Sequence, residues 1–463
     1  MTEIQAKHSK HVDETGVGPL SWLGLRSTAF AERWLPGAFG LVLVLTFVVL
    51  LFGFATGEPL LRRAADPDAT AGLGLVDAWG KGFWGLTTFT LQTVMSVIGV
   101  YAVATTRPVA GLIARLGRVP STPRGAMVFV AVAALASSYL SWALSLVFAA
   151  MLAREVARNV PAADYRALGA MALLGFRDAD RPSALVPFSG RYDGSGFSWQ
   201  GLVATLLVCG VAVGTAWLIA PGGPEARSAA DLGVELAPLV GRRSQHNEDT
   251  RSLPRVLRPG DWLEYSPVPG LLVGVLGVLY LARHGGGPLR LDTLNLALFT
   301  LALLLHWRPW RMARAVREGA TMASGMLLLF PLYGGIAGMV AYTGVAERLA
   351  GWLLSVGGGA GFPPVVAGFS FLLAVVVPGG GSLWSPYVLD AADRFGADPT
   401  WAVVAHDLGA FGANLVQPFW MLPALALLGL KARDVIGYTF AIFVPCFLAA
   451  LVAVTLLTPH VGG

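Results

Sequence analysis

Long stretches of this sequence carry no charged side chain, and they constrain the fold more than any other feature. Such runs occupy residues 34–57, 82–106, 125–153, 194–224, 265–282, 293–307, 319–346, 349–389 and 435–463. Because about 20 apolar residues span the hydrocarbon core of a bilayer, several of these runs have the length of one transmembrane helix. They also lack the apolar–polar alternation of a membrane β-barrel. The runs therefore predict an all-α integral membrane protein with about 10–12 membrane segments.

The composition excludes the main alternatives to a membrane protein. Charged residues make up 13% of the chain and hydrophobic residues 55%, whereas about 25% of a soluble domain is charged. So few charges could not cover a water-soluble surface, and a disordered chain would not be this apolar. The net charge of +5 comes from basic clusters between apolar runs, which is typical of membrane loops and argues against a nucleic-acid partner. We expect the lipid bilayer to surround the protein.

Basic residues and a hydrophilic middle segment predict the organisation of the chain. We expect a cytoplasmic tail at 1–37, membrane halves at 38–220 and 267–463, and an exposed linker at 221–266. The arginine-rich loops 106–124 and 306–318 also belong in the cytoplasm by the positive-inside rule. The two halves have similar lengths, and each contains an Ala-Asp pair, ending at Asp164 and Asp398, after a long uncharged run. These features favour an internal duplication.

Run 349–389 contains the most informative motif. It is long enough for two passes, and Pro378, Gly379, Gly380 and Gly381 interrupt it, so a helix must break here. The pair Ser385-Pro386 predicts an N-cap and first residue of a new half-helix. Free N–H groups at such a helix start, close to Ser382 and the glycines, suit a small anion such as a carboxylate. The alternative is a flexible loop at the membrane surface.

A second polar group follows in the same half: His406, Asp407, Asn414 and Gln417. Asn414 and Gln417 are three residues apart, which on one helix places them on a shared face. An ionisable residue within a membrane segment is a functional candidate because burying its charge is costly. Asp407 could bind a proton that accompanies the substrate, with His406 assisting. Alternatively, Asp407 lies at the membrane interface and serves only the structure.

The first half offers hydroxyl groups at one place. Ser137, Ser141 and Ser145 recur every four residues within run 125–153, which predicts one polar face of a single helix. These side chains would either face a polar cavity or mediate close helix packing.

Cys209 and Cys446 lie in apolar runs and indicate small core residues.

Motifs for soluble-type catalysis are missing from the sequence. The seven histidines form no HExxH or other paired metal-ligand spacing, and there is no GxxxxGK[ST] loop. A membrane-embedded enzyme would need a nucleophile and a base that meet, but the side chains of adjacent helix residues such as His406 and Asp407 point in different directions. We therefore expect a protein that is not an enzyme and holds no metal or other cofactor.

Several motifs in chain order resemble those of bacterial short-chain fatty acid permeases. They are Arg33-Trp34-Leu35-Pro36, Trp79-Gly80-x-Gly82-Phe83-Trp84, Ala153-Arg154-Glu155-Val156-Ala157-Arg158, Gln417-Pro418-Phe419-Trp420-x-Leu422-Pro423 and Arg433-Asp434-x-x-Gly437-Tyr438. The resemblance implies a transporter of small monocarboxylates in the bacterial cytoplasmic membrane. It also implies paired re-entrant hairpins, as in the larger ion-transporter superfamily to which that family is related.

This sequence departs from the family pattern near the expected site. Ser141 stands where the pattern has Asn before a Trp, and the acidic position of the pattern falls on Ala410, about one turn from Asp407. Asn414 matches the pattern. The departures leave two alternatives open. The protein transports a different small solute, or it is a membrane subunit that does not transport.

These observations combine into one hypothesis for the site. The substrate carboxylate would meet the backbone at Gly379, Gly380, Gly381 and Ser382, with hydrogen bonds from Ser385, Asn414, Gln417 and Ser141. Charge balance favours co-transport of H⁺ or Na⁺, and the sequence does not distinguish between these two ions. It also leaves open whether the protein forms a homo-oligomer.

Overall fold

The computed structural model of the protein describes residue 33 and residues 36–61, 73–175, 199–221, 226–236, 258–284, 290–356, 361–377 and 381–458. For residues 259, 262, 264, 354 and 381–386 it describes the backbone alone. Within these ranges the regular secondary structure is helical. The all-α fold predicted from the sequence is therefore confirmed for the described part of the chain.

Eighteen α-helices lie in the described residues. The first nine are α1 (Ala38–Ala55), α2 (Leu75–Gly85), α3 (Thr87–Ala104), α4 (Arg107–Leu116), α5 (Pro123–Ser138), α6 (Trp142–Asn159), α7 (Tyr165–Ala172), α8 (Trp199–Ile219) and α9 (Pro259–Tyr265). The others are α10 (Val268–His284), α11 (Leu291–His306), α12 (Pro309–Ala341), α13 (Val345–Val356), α14 (Phe362–Val376), α15 (Gly381–Arg394), α16 (Pro399–Val416), α17 (Leu422–Leu428) and α18 (Ala432–Leu456). A short 3-10 helix covers Ala230–Leu232.

Five of the described helical segments are long and apolar enough to cross a membrane. They are Ala38–Ala55, Leu75–Ala104 (α2 and α3 together), Trp199–Ile219, Pro309–Ala341 and Ala432–Leu456, and four shorter apolar helices accompany them. Large apolar side chains such as Phe47 in α1 and Leu276 in α10 are more than 60% exposed, as expected for a surface in contact with lipid. The molecule is a multi-pass membrane protein, and the total of 10–12 segments stays a prediction.

Run 125–153 forms two helices rather than one. Helix α5 ends at Ser138 and α6 begins at Trp142, with Ser141 in an extended conformation as its N-cap. The predicted single face of Ser137, Ser141 and Ser145 is therefore wrong. The physical reason is that serine hydroxyls compete for backbone groups and favour helix ends; the Oγ of Ser141 accepts from the N–H of Leu144 at 3.5 Å.

Run 349–389 is also interrupted, at the position where the glycines predict it. Helix α14 ends at Val376 and α15 begins at Gly381, and residues 378–380 lie outside the described residues. The predicted N-cap at Ser385 is wrong, because α15 starts four residues earlier. The preference of the residue before a proline for extended backbone is overridden here, and the helix start moves next to the glycines.

The two halves share a local geometry that supports a duplication. Asp164 caps α7 by accepting from the N–H groups of Arg166 and Ala167, and Asp398 caps α16 by accepting from those of Thr400 and Trp401. Eleven residues after each aspartate a glycine approaches a neighbouring helix so closely that a side chain would collide with it. These are Gly175, against the carbonyl of Ala134 in α5, and Gly409, against the carbonyl of Ala367 in α14. The same cap and the same close approach recur at the same spacing.

Part of the segment predicted as an exposed linker contacts the body of the protein. Residues 226–236 lie against the body of the protein, with Ala229 buried and Leu232 and Val234 packed on the core. The backbone of this part bonds to Asp164 and Tyr165 in the first half, while most of its residues are exposed or half-buried, and the linker over 221–266 stays a prediction.

Candidate functional site

Interruptions from both halves of the chain meet at one place. The first lies between α5 and α6 and is followed by Trp142, and the second lies between α16 and α17 and contains Trp420. The two indole rings form an edge contact with centroids 5.4 Å apart. Broken helices that meet in the middle of a membrane protein expose backbone polar groups, which is tolerated only where protein or a cavity satisfies them.

Gln417 joins this place to the third interruption. It caps the C-terminus of α16 with extended backbone (ψ 126°), so the predicted helical face shared with Asn414 is wrong: Gln417 lies beyond the helix end. Its Nε2 donates to the carbonyl of Val375, in the last turn of α14, at 3.3 Å. The side chain is 2% exposed, and its Oε1 accepts no hydrogen bond within the described chain. Nε2 keeps a second N–H for another acceptor.

We call the meeting point of these interruptions, residues 139–141 and 417–421 with the end of α14, the junction. An aromatic cluster lies beside it. Its members come from four parts of the chain: Phe89 in α3, Trp142 in α6, Phe330 and Tyr333 in α12, and Phe419 and Trp420 between α16 and α17. The rings of Phe330 and Phe419 stack with centroids 4.1 Å apart, and Tyr333 meets Phe419 edge-on at 4.6 Å. Such walls suit an alkyl chain. The sequence reasoning missed Phe330 and Tyr333, although Pro331 within α12 marks the position.

Helix α16 carries two polar residues on one face. Asp407 and Asn414 are seven residues apart, which is about two turns or roughly 10 Å along the helix. Asn414 is half-buried, near the end of α16. Asp407 lines a cavity of about 80 Å³, which has room for two or three water molecules at about 30 Å³ each.

This cavity lies between the two halves. Its walls come from α5 and the interruption after it, the end of α7, α8 and α16: Leu135, Ser138, Tyr139, Leu174, Thr205, Val208, Cys209, Asp407, Leu408 and Phe411. Asp407 therefore faces the first half at the cavity and does not pack solely within its own half. Thr205 and Tyr139 are polar wall residues that the sequence reasoning missed.

His406 points to a different neighbour. Its Nδ1 lies 2.7 Å from the Oγ of Ser370 in α14, and the ring is buried. His406 is not among the residues that line the Asp407 cavity. The two proton-coupling candidates thus do not share one site.

The structure places the predicted substrate residues unevenly. Ser141 and Gln417 adjoin the same junction through their neighbours Trp142 and Trp420. Gly379 and Gly380 lie outside the described residues. Gly381, Ser382 and Ser385 lie in the first two turns of α15, where the structure describes only the backbone. The first N–H groups of α15, at Gly381 and Ser382, have no helical partner because they start the helix.

Fold and site together define a class: a multi-pass helical membrane protein whose interrupted helices meet between two halves, an arrangement typical of secondary transporters. A family model described as "Short chain fatty acid transporter" matches residues 20–181 and 203–458. The chain belongs to this family of membrane transporters.

Two curated relatives agree with this assignment. A protein of Escherichia coli (strain K12) is 31% identical over 441 residues, which cover 89% of this chain and 94% of the relative. A protein of Haemophilus influenzae is 27% identical over 461 residues, which cover 92% and 97%. Both carry names that assign them provisionally to short-chain fatty acid transport.

Two solved transporter structures show weaker similarity. The Alcanivorax borkumensis YdaH transporter has 17% identity and a TM-score of 0.48, with 91% of this chain and 97% of that chain covered. Neisseria gonorrhoeae MtrF, described with a class of antimetabolite efflux pumps, has 15% identity and a TM-score of 0.42, with 94% and 96% covered.

Proposed function

We propose that this transporter carries short-chain fatty acids, or similar small monocarboxylates, across the bacterial cytoplasmic membrane. Family membership and the names of the two relatives support the substrate class. The observation that carries the proposal is the junction itself. There, Gln417 donates to the carbonyl of Val375, six residues before α15 begins, and the rings of Phe419 and Trp420 follow Gln417 in the chain and contact each other.

The junction suits both ends of a short fatty acid. The carboxylate accepts from the backbone N–H groups at Gly381 and Ser382, and Gly379 and Gly380 let it approach the chain closely. Hydrogen bonds come from four side chains around it: Ser141, Ser385, Asn414 and Gln417. The alkyl chain lies against the rings of Phe419 and Trp420. Recognition thus uses dipoles and hydrogen bonds without a fixed cation.

Coupling to a cation balances the charge of the carried anion. Asp407 is the proton site we favour, because its carboxylate lines a cavity large enough for water and lies on the same face of α16 as Asn414. His406 is the second candidate, with Ser370 as its partner. Na⁺ in place of H⁺ is the alternative coupling ion.

Uptake by purified protein tests the proposal. Proteoliposomes loaded at neutral pH are placed in acidic buffer with labelled butyrate, and empty liposomes measure passive entry of the acid. We expect saturable uptake, competition by acetate and propionate, and a loss of about tenfold or more in Asn414→Ala, whose polar group would be missing from the site. Absence of uptake for every monocarboxylate tested, in vesicles that contain folded protein, would contradict the substrate assignment.

A further inference from the structure

The short helix α17 connects the junction to the first half of the protein. It has seven residues, begins two residues after Trp420, and ends at Leu428. Gly429 follows with a positive φ of 69° and donates its N–H to Leu425. The N–H of Leu430 bonds to the same carbonyl at 3.0 Å. This is a common helix ending, in which a left-handed glycine terminates the helix.

The last carbonyl groups of α17 receive their hydrogen bonds from the first half. Arg154 in α6 donates through Nη1 to the carbonyl of Leu427 at 2.6 Å. The hydroxyl of Tyr165 in α7 donates to the carbonyl of Leu428 at 2.8 Å. The final carbonyls of a helix lack partners within it, and a cation there is favoured by the helix dipole. A cation from one half therefore caps a half-helix of the other.

The segment 226–236 closes over this contact. Arg154 also donates through Nη2 to the carbonyl of Glu235 at 3.0 Å. The side chain of Val234 lies next to Gly429, where an added Cβ would be 3.3 Å from it. At its other end the segment is fixed to the first half, since the N–H of Arg227 bonds to Asp164 at 3.1 Å. Arg154 thus holds two chain segments at once.

We infer that Arg154 is a positioning residue for the substrate site, acting through α17; this rests on the proposed function. Seven residues make a rod of about 10 Å, so a shift at Leu428 moves Leu422 at the other end and, through the short segment before it, Trp420 and Gln417. A misplacement of about 1 Å at a site can change its performance by a large factor. A lysine in place of Arg154 keeps the positive charge and its interaction with the helix dipole, but its single ammonium group cannot reproduce the forked contacts of the guanidinium.

Kinetics of three variants test this inference. We expect Arg154→Met to raise the KM for butyrate about tenfold and Arg154→Lys to restore part of that loss. Arg115→Met removes an exposed arginine in the last turn of α4 and should leave KM unchanged. An unchanged KM in folded Arg154→Met, or an equal change in Arg115→Met, overturns the inference.

Hydrogen–deuterium exchange separates this inference from the proposed function. In Arg154→Met the amides of residues 422–430 should exchange faster than in the wild type and in Arg115→Met, with no substrate present. If the wild type transports no monocarboxylate, the proposed function fails, and the exchange result still decides whether Arg154 holds α17. Unchanged exchange over 422–430 overturns the inference whatever the transport result.

Discussion

The side-chain amide of Gln417 donates to the main-chain carbonyl of Val375 at 3.3 Å, and this bond joins two interrupted helices of the second half. Helix α14 ends one residue after Val375, and α16 ends one residue before Gln417. Because the residue is buried, the bond fixes the amide in one orientation, with its oxygen and second N–H directed elsewhere. The junction therefore has a donor of fixed position at the end of α14, six residues before α15 begins.

Replacing Gln417 with glutamate tests whether an anion binds beside it. Gln417→Glu has nearly the same shape but places a carboxylate next to the carbonyl of Val375 and next to the proposed substrate carboxylate. Two neighbouring carboxylates repel strongly in a buried site, so we expect uptake of butyrate to be lost at neutral pH. Uptake should recover in part in acid, where one carboxylate is protonated. Gln417→Ala should keep some uptake. Equal activity of Gln417→Glu and the wild type at neutral pH would contradict the proposed site.

Alanine at the closely packed glycines tests the matched geometry of the two halves. A Cβ at Gly175 or at Gly409 would collide with a backbone carbonyl, and overpacking of this kind costs about 1–3 kcal/mol. We expect Gly175→Ala and Gly409→Ala to lower the thermal unfolding midpoint in detergent. Gly368→Ala is the control, because nothing lies within 4 Å of its added Cβ and alanine favours the helix by about 0.5–1 kcal/mol. Similar midpoints for all three variants would contradict this packing.

The two capping aspartates should differ in their contribution to stability. Asp164 is buried in an ion pair with Arg166 at 2.7 Å and accepts from the hydroxyl of Tyr438 at 3.3 Å. Asp164→Ala removes one member of a buried ion pair, which costs about 3–5 kcal/mol. Asp398→Ala removes only a helix cap, worth about 1 kcal/mol. We expect a much larger fall in the unfolding midpoint for Asp164→Ala, and the reverse order would refute the assigned roles.

Proton coupling can be tested at Asp407 without altering its shape. Asp407→Asn cannot release a proton, so we expect uptake that no longer responds to an inward proton gradient, while exchange of labelled for unlabelled butyrate continues. Asp390→Asn is the control, because Asp390 is exposed and pairs with Arg394 on the surface of α15. An unchanged response to the gradient in Asp407→Asn would assign coupling to another group. His406→Gln then tests the second candidate in the same assay.

The sequence was sufficient to predict the features that depend on local chemistry. Charge-free runs indicate membrane helices, and a proline followed by three glycines indicates the interruption between α14 and α15. The helix start at Ser385 was wrong because the sequence preference of a Ser-Pro pair is weak compared with the packing of a whole helix. The single face of Ser137, Ser141 and Ser145 was wrong because helical periodicity carries no information about where a serine ends the helix.

Relationships between distant residues could not be predicted from periodicity. Nothing local indicates that Trp142 meets Trp420, or that Asp407 faces α8 and the first interruption. The docking of residues 226–236 was missed for another reason. Its anchors are backbone groups, such as the N–H of Arg227 and the carbonyl of Glu235, and a polar composition does not reveal them.

Equilibrium binding of butyrate to the purified protein tests the central claim most directly, namely that interrupted helices of both halves form one carboxylate site. The account predicts saturable binding that propionate displaces and 1-butanol does not, and weaker binding in both Ser141→Ala and Asn414→Ala. Displacement by 1-butanol as effective as by propionate, or unchanged affinity in both variants, would contradict it.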